Sequence, residues 1–442
     1  MELINKELST LSSLVLNSEV VFKQDPKLAG AIAKLCNTQD KVSCKINALP
    51  ERKLDFGEVL HLLKRPLKDN VAAKPNYIKI TETNDTRKDL IKQVEEILEE
   101  INKNAENGGV PKLVIRNQKM WSNCIYDSDR SVVTLKSFDV AKKTILRYSK
   151  NEDKTRFNRI VFVLTKAHEL LSKNLTVTRR ELFYQNVVKL RNQTNLDIAV
   201  RDACCLLETP PWNLGIVATS KGLVAGPLTI HHRDGTTTNC MTSGGVIMPQ
   251  DIHGIKEFQS SAKYILVVEK DAIFQKLLDE GALVRLGPVI ILTGKGYPDV
   301  CTRLLLCRLC TDLRLRALAL VDADPHGYEI FLTYKYGSLA QSHLSSALAC
   351  TSLVLLGARF NDVLSLAPNE ARLPLTELDK RKLKSLLNRP YLDNSTGWSI
   401  KEDLRAMLSS GIKAELEALA PTTAALCDAY LPAKIIQSDF IG

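Results

Sequence analysis

Three carboxylates stand at the ends of apolar runs in this sequence. Val267-Val268-Glu269 closes one run and Val321-Asp322-Ala323-Asp324 closes another. If both runs are strands of one parallel sheet, their C-terminal ends share an edge, and that edge is where open α/β sheets bind ligands. Residues i and i+2 of an extended segment face one side, so Asp322 and Asp324 can point together while Glu269 arrives from another strand. Three carboxylates without a neighbouring Cys or His suit a hard, oxygen-seeking cation, Mg²⁺ rather than Zn²⁺. Left without a cation they repel one another, so Asp322→Ala is expected to spare the fold by relieving that repulsion. The plain alternative is that strand-end acids cap the helices that follow, a role that Asp271 also fits.

A nucleophile is harder to single out. The chain has eleven tyrosines, and spacing alone does not choose among them. Tyr184 lies one helical turn after Arg180, inside the most basic stretch of the chain. A free phenol ionises near pH ~10, so about one in a thousand is the nucleophilic phenolate at neutral pH. That deficit is worth roughly 4 kcal/mol of barrier, which a guanidinium beside the oxygen can offset. Other groups carry weaker signals. Cys307 and Cys310 have the spacing of a zinc half-site, but no second pair stands near them in the sequence. Gly294-Lys295-Gly296 could cradle phosphate but lacks the spacing of a nucleotide-binding loop. His231-His232 reads as surface.

The elements that must position these residues follow two rhythms. Strand and helix alternate from residue 263 onward: strands over 264–268, 289–293, 317–321 and 352–356, helices over 271–280, 298–313 and 326–336. That βαβα pattern predicts a mainly parallel sheet with helices on both faces. Helices are expected again over 376–389 and 401–419. Upstream, a helix is expected over 89–104, ended by Asn107-Gly108-Gly109. Three further helices are expected over 160–171, 179–188 and 196–207, with Thr178 and Glu181 forming a capping box at the second. Two short strands over 214–218 and 223–230 then read as a hairpin joined by Thr219-Ser220-Lys221-Gly222. Three helices and a hairpin are the plan of a winged-helix domain, which puts Lys221 and Gly222 at the wing tip, where they suit phosphate contact.

Bulk properties fit this division. A chain of 442 residues accommodates two or three domains at ~150 residues each. Its 45% hydrophobic and 25% charged content is that of a soluble globular protein. The net charge is +10, yet residues 141–240 alone hold 16 Lys and Arg against 8 Asp and Glu, a net of +8. A basic block in a near-neutral protein predicts a nucleic-acid footprint. The first residues lack the pattern of a secretory leader, and no apolar run approaches the ~20 residues of a membrane span. Eleven scattered cysteines then suggest free thiols in a reducing, intracellular compartment. The expected organisation is an α/β and α+β multidomain chain. Residues 1–87 form a partly disordered extension, 88–240 a winged-helix DNA-binding domain, and 241–442 a Rossmann-like metal-binding domain with a helical C-terminal part.

Several ordered motifs resemble the topoisomerase VI A-subunit family. Thr178-Arg179-Arg180-Glu181-Leu182-Phe183-Tyr184 is similar to its catalytic-tyrosine motif. Val267-Val268-Glu269-Lys270-Asp271 and Val321-Asp322-Ala323-Asp324-Pro325-His326-Gly327 are similar to the two acidic motifs of its Toprim domain. Thr219-Ser220-Lys221-Gly222-Leu223, Thr293-Gly294-Lys295-Gly296-Tyr297-Pro298-Asp299, Asn388-Arg389-Pro390-Tyr391 and Lys413-Ala414-Glu415 match further stretches. The likeness covers roughly residues 88–442, and its wording is nearer the eukaryotic meiotic members, which break DNA to start recombination.

The resemblance implies a nuclear enzyme that cuts double-stranded DNA, with Tyr184 as nucleophile, Arg180 stabilising the transition state, and Glu269, Asp322 and Asp324 holding Mg²⁺. It implies DNA contacts from Arg179, Lys221 and Gly222. It also implies a homodimer on DNA, in which the tyrosine of one protomer meets the metal site of the other, together with a B-like partner chain and meiotic accessory proteins. The chain has no nucleotide-binding loop of its own, so the ATP hydrolysis of a type IIB topoisomerase would come from that partner. A same-class alternative is the A subunit of a vegetative topoisomerase VI that cuts and reseals DNA, and two other classes fit parts of the pattern: a binding-only winged-helix protein with an idle Toprim fold, and a Toprim nuclease or primase without a covalent tyrosine.

Overall fold

The computed structural model describes residues 26–37, 84–118, 120–394, 397–420 and 422–442. The Lys-Pro-Asn stretch near residue 75 and the rest of the expected extension lie outside them, save the helix Pro26–Asn37 and residues 84–87. That helix falls in the stretch expected to hold some helix and some disorder, where the sequence pattern places no bounds. Its Leu28, Ala31 and Ile32 are buried against the larger half of the protein.

The larger half is built on a six-stranded sheet. Its strands in chain order are β1 (Leu223–Ala225), β2 (Val246–Ile247), β3 (Tyr264–Val268), β4 (Val289–Thr293), β5 (Arg316–Leu320) and β6 (Leu353–Gly357). Their order across the sheet is β2-β1-β4-β3-β5-β6. The last four are mutually parallel, and β1 runs antiparallel to both β4 and β2. The parallel strands are apolar throughout because both faces are covered. Ile265, Val267, Ile290, Leu292, Ala317 and Ala319 enter one core. Tyr264, Leu266, Val268, Val289, Ile291, Leu318 and Leu320 enter the other. This alternation is the period-2 pleat of a strand, here with no polar side to show.

The helices of this half fall close to expectation, at Asp271–Asp279, Val300–Asp312, Pro325–Tyr336 and Glu377–Leu387. The expected helix over 401–419 is shorter, Trp398–Ser410, because the chain then extends and pairs Ile412–Lys413 with Leu373–Pro374. A bridge between Ala323 and Ala414 draws this C-terminal segment onto the acidic strand end.

The smaller half is helical around a core of its own. Asn84–Glu106 lays Leu90 and Val94 against Asn151–Lys173, which buries Phe157, Ile160, Val163, Leu164 and Ala167. Between them the chain makes two short ladders that the apolar pattern does not announce, Lys112–Arg116 with Lys143–Arg147 and Cys124–Asp127 with Val132–Leu135. The expected helix over 179–188 breaks in two, Arg179–Tyr184 and Val187–Leu190. The break falls at Asn186, whose backbone leaves the helical region while its amide donates to Leu182 O at 3.0 Å. Asparagine competes with the backbone ladder in this way. Gln193–Leu206 follows, capped by Asn192.

The expected wing hairpin is not formed. Ile216–Val217 pairs in parallel with Val177–Thr178 in the helical half, whereas Leu223–Ala225 joins the large sheet as β1. Leu228–His232 pairs with Thr237–Asn239 and Ile255–Ser260 in a separate three-stranded sheet. Residues 218–222 therefore run from the ladder with Val177–Thr178 to the edge of the large sheet. Gly222 is not a flexible tip but a buried contact. A Cβ there would lie 2.3 Å from Thr302 Oγ1, 2.9 Å from Thr293 O and 3.0 Å from Met248 Sδ. The strand pair misleads because two adjacent apolar runs separated by a polar, glycine-containing loop are the ordinary hairpin signal. Gly222→Ala should lower unfolding stability by about 1–3 kcal/mol through overpacking. Chemical denaturation measures this, and an unchanged midpoint would restore the exposed-loop reading.

Candidate active site

The parallel register delivers the acids. Tyr264 to Val268 stands beside Arg316 to Leu320 residue for residue, so the strands end together. Glu269 then continues β3 by donating its N–H to Leu320 O at 3.0 Å. Asp322 sits just past β5, and its N–H donates to Glu269 Oε2 at 2.9 Å. Asp324 begins the helix Pro325–Tyr336, with its Oδ1 accepting from Gly327 N at 2.7 Å. Asp324 is thus a helix cap, and its charge raises the pKa of Glu269 and Asp322. Gly327 is required here, because a Cβ would lie 2.3 Å from Asp322 O.

Asp322 is almost buried, at 7% exposure. Its Oδ1 accepts from Leu416 N at 2.9 Å and its Oδ2 lies 3.1 Å from Lys270 Nζ. Lys270 also reaches Glu415 at 3.2 Å and Glu417 at 3.1 Å. Burial alone would pull the Lys270 pKa down, but Asp322 and Glu417 together outweigh it and hold the ammonium form. Burial pushes the Glu269 carboxyl up to about 7, and the charges of Asp322 and Asp324 add to that shift. Asp322 is raised by burial as well, against the bonds from Leu416 and Lys270. The acids are thus short of positive charge, and among the described residues Lys270 is the cation paired with them.

The donor set fits Mg²⁺ in kind: oxygen ligands, excess negative charge, and at least one oxygen of both Glu269 and Asp324 not engaged by a backbone amide. Among the described residues, no three acidic, imidazole or thiol side chains are gathered closely enough to hold a metal ion as they stand. Loading would require the carboxylates to draw together and Lys270 to leave Asp322.

Sequence reading missed Lys270, Glu415, Glu417 and the Leu416 amide. Lys270 follows Glu269 directly and could have been read as its counter-charge, and Glu415 stands in the family-like stretch Lys413-Ala414-Glu415, but only the fold brings 415–417 to the acids. It also missed a polar network beside Asp324, where Tyr297 Oη lies 3.0 Å from His326 Nδ1 and bonds Glu329, itself paired with Lys382 and Arg389. Asp271, expected as a possible cap, makes no side-chain cap and instead pairs with Lys295 at 3.0 Å. The 294–296 turn is occupied internally, since Lys295 N donates to Thr293 Oγ1 and Lys295 O accepts from Lys221 Nζ.

The tyrosine motif presents differently. Thr178 caps the helix Arg179–Tyr184 through Glu181 N at 3.1 Å, and Glu181 accepts from Gln185 rather than completing the box. Tyr184 is 71% exposed, and its hydroxyl makes no hydrogen bond among the described residues. Arg180 is exposed beside it, whereas Arg179 turns inward to Asp197 at 3.4 Å. Lys221 keeps an exposed side chain, but its backbone N–H donates to Asp299 Oδ2 at 2.8 Å, so it anchors the join between the halves.

Residues 264–435 match the family model for the Toprim domain of the topoisomerase 6 A-subunit/Spo11 proteins, and residues 155–216 match that of Type IIB DNA topoisomerase. The meiotic recombination protein SPO11 of Mus musculus is 35% identical over 350 residues, 78% of this chain and 87% of its own length. The chain belongs to the topoisomerase 6 A-subunit/Spo11 family. Other members include the DNA topoisomerase 6 A-subunit of Arabidopsis thaliana, 34% identical over 72% of this chain and 74% of its own, and meiotic recombination protein W68 of Drosophila melanogaster, 34% identical over 66% and 87%. The Toprim match begins at the first residue of β3 and contains all three acids, while the topoisomerase match contains Arg179, Arg180 and Tyr184. Among the described residues no helix is long and apolar enough to cross a membrane.

The contacts of Asp322 revise the expected result of truncating it. Asp322→Ala strands the buried Leu416 N–H and frees Lys270, so it should cost about 1–3 kcal/mol despite the relieved repulsion. Asp322→Asn keeps an acceptor for Leu416 and should remain nearer the wild type. Thermal unfolding of both variants decides the point, and equal melting temperatures would mean that the Leu416 bond contributes nothing.

Proposed function

We propose that this chain breaks double-stranded DNA by transesterification from Tyr184, as the initiating step of meiotic recombination in the nucleus. The observation that carries the reading is the state of Tyr184 itself. A structural tyrosine buries its ring and bonds its hydroxyl, whereas Tyr184 is largely exposed, unbonded among the described residues and one turn from exposed Arg180. The names of the mouse and fly relatives support the meiotic role.

In the proposed step the Tyr184 oxygen attacks a backbone phosphorus and its proton passes to solvent. The P–O3′ bond breaks, the 3′ oxygen takes up a proton, and the product is a 5′-phosphotyrosyl link with a free 3′ hydroxyl. Arg180 favours the phenolate and the charge that develops on the phosphate. Mg²⁺ held by Glu269, Asp322 and Asp324 would polarise a phosphoryl oxygen and stabilise the leaving 3′ oxygen. One chain offers one such tyrosine and a duplex has two strands, so a double-strand break calls for two copies, with DNA lying across both.

The helical half would supply a winged-helix-like platform of the helices Arg179–Tyr184 and Gln193–Leu206 without the expected wing. Of the expected DNA contacts, Lys221 keeps an exposed cation, Arg179 is turned inward and Gly222 is buried. A B-like partner and accessory proteins belong to this reading as well. The similarity to the Arabidopsis topoisomerase chain favours a second reading, an enzyme that also reseals DNA with an ATPase partner.

Tyr184→Phe deletes one oxygen and leaves an exposed ring, so stability should change by less than ~1 kcal/mol. Recovery of protein-linked 5′ ends after denaturation should fall to background, while Phe183→Leu retains them. Adducts from Tyr184→Phe at the wild-type level would move the chemistry to another tyrosine. DNA affinity should fall steeply with salt, and Lys221→Ala should flatten the salt slope by about one unit on unrelated sequences. A loss confined to one DNA sequence would contradict phosphate contact by Lys221.

A further inference from the structure

A cavity of about 260 Å³ lies between the two halves of the protein. One wall is Arg179 with Thr194, Asp197 and Arg201, the last three from the helix Gln193–Leu206. The facing wall is Gln341 and His343 from the turn Leu339–Leu344 of the Toprim half. None of these residues takes part in the carboxylate site.

The polar groups of this cavity are incompletely satisfied by the protein. Among the described residues Arg179 reaches only Asp197, at 3.4 Å, and its buried Nε has no partner there. Arg201 lies 3.6 Å from Asp202, a carboxylate that already takes a 2.8 Å bond from Arg156, and its Nε is also without a partner. Both ring nitrogens of His343 are buried and unpartnered. Burial, with the fields of Arg116, Arg201 and Arg179, pushes the His343 pKa down to about 4. The ring is therefore neutral near pH 7 and can donate one hydrogen bond. A buried donor without an acceptor is destabilising, and water can accept the bonds but cannot balance the one positive charge by which Arg156, Arg179 and Arg201 exceed Asp197 and Asp202. A tetrahedral oxyanion does both, because it offers several acceptor atoms and negative charge to planar guanidinium groups.

We propose that this cavity is a seat for a small phosphate-type oxyanion held by Arg179, Arg201 and the His343 ring. The volume leaves room for the anion and several waters, each with a share of about 30 Å³. Arg179 and Arg201 keep about a fifth of their side chains exposed (22% and 21%), so the seat can be reached from solvent. The anion would tie the first residue of the tyrosine helix to the Toprim half, and so fix how the two halves sit. The seat does not depend on the proposed role of Tyr184.

The same chemistry could come from free phosphate or from a DNA backbone phosphate, and the test separates them. Thermal unfolding of the full chain is followed as inorganic phosphate is added at constant ionic strength, with chloride as the control. Wild type should show a saturable rise in melting temperature with phosphate and none with chloride. Arg201→Gln should weaken that response by about tenfold or more, since one charge-assisted bond is worth that much. Thr194→Glu is the second variant, because it sets a carboxylate in the wall at a helix start that favours one. It should unfold at a higher temperature than wild type and no longer respond to phosphate. Absence of any phosphate response in wild type overturns the proposal, as does an undiminished response in Thr194→Glu. A short duplex that displaces bound phosphate would identify the DNA backbone as the source, and one that does not would identify the free anion, the seat standing in both cases. Stabilisation by duplex with none by phosphate would overturn it.

Discussion

Negative charge gathered at one edge of a parallel sheet constrains much of what surrounds it. Glu269, Asp322 and Asp324 come to that edge because β3 and β5 run in register and end together. Carboxylates so placed disfavour one another's ionisation, and burial makes this worse. The fold answers with one backbone amide for each acid: Asp322 N for Glu269, Leu416 N for Asp322 and Gly327 N for Asp324. Those amides come from a strand end, a distant C-terminal segment and a helix start. The Ala323–Ala414 bridge brings in the second, and the absence of a Cβ at Gly327 permits the third. Lys270 contributes the remaining countercharge and shares it with Glu415 and Glu417. The C-terminal segment is therefore part of the site, although it lies about 90 residues on in the chain, the separation of Asp322 and Leu416 being 94.

The tyrosine is positioned by the opposite logic. Its short helix is fastened by Leu182, which is buried, and ends where Asn186 diverts the backbone. Tyr184, Val187 and Val188 are left outward, at 71%, 43% and 95% exposure. Exposed groups with few contacts can be brought to a large ligand without breaking a core. The acids at the sheet edge are confined and tethered, so the exposed tyrosine on the helical half is the freer of the two groups.

How far the sequence spoke for the structure follows from where the signal was local. The parallel strands were legible because four apolar runs alternate with helical segments, and the acids because each sits at the end of such a run. The cap of the tyrosine helix was legible in Thr178 and Glu181. What stayed hidden was decided by tertiary pairing. Leu223–Ala225 reads like the second arm of a hairpin, and only the competing edge of β4 explains why it leaves its neighbour. The two ladders between residues 112 and 147 are short and mixed in polarity, so period-2 alternation is weak there. Glu415, Leu416 and Glu417 carry no mark of the site in their own composition. Only motif resemblance singles out Tyr184 among the eleven tyrosines, because no spacing rule distinguishes a nucleophilic one.

The strand Leu223–Ala225 has a bearing on how this protein can be divided. It precedes residue 264, where the Toprim match begins, and so does Val246–Ile247, yet both lie on the outer side of β4. A fragment started at residue 264 would strip that side and leave Val289-Ile290-Ile291-Leu292-Thr293 as an open edge. An uncharged, β-branched edge with unpaired amides is a template for intermolecular pairing. The isolated Toprim segment would then be prone to aggregate, while a fragment that keeps residues 218–263 carries its own edge protection.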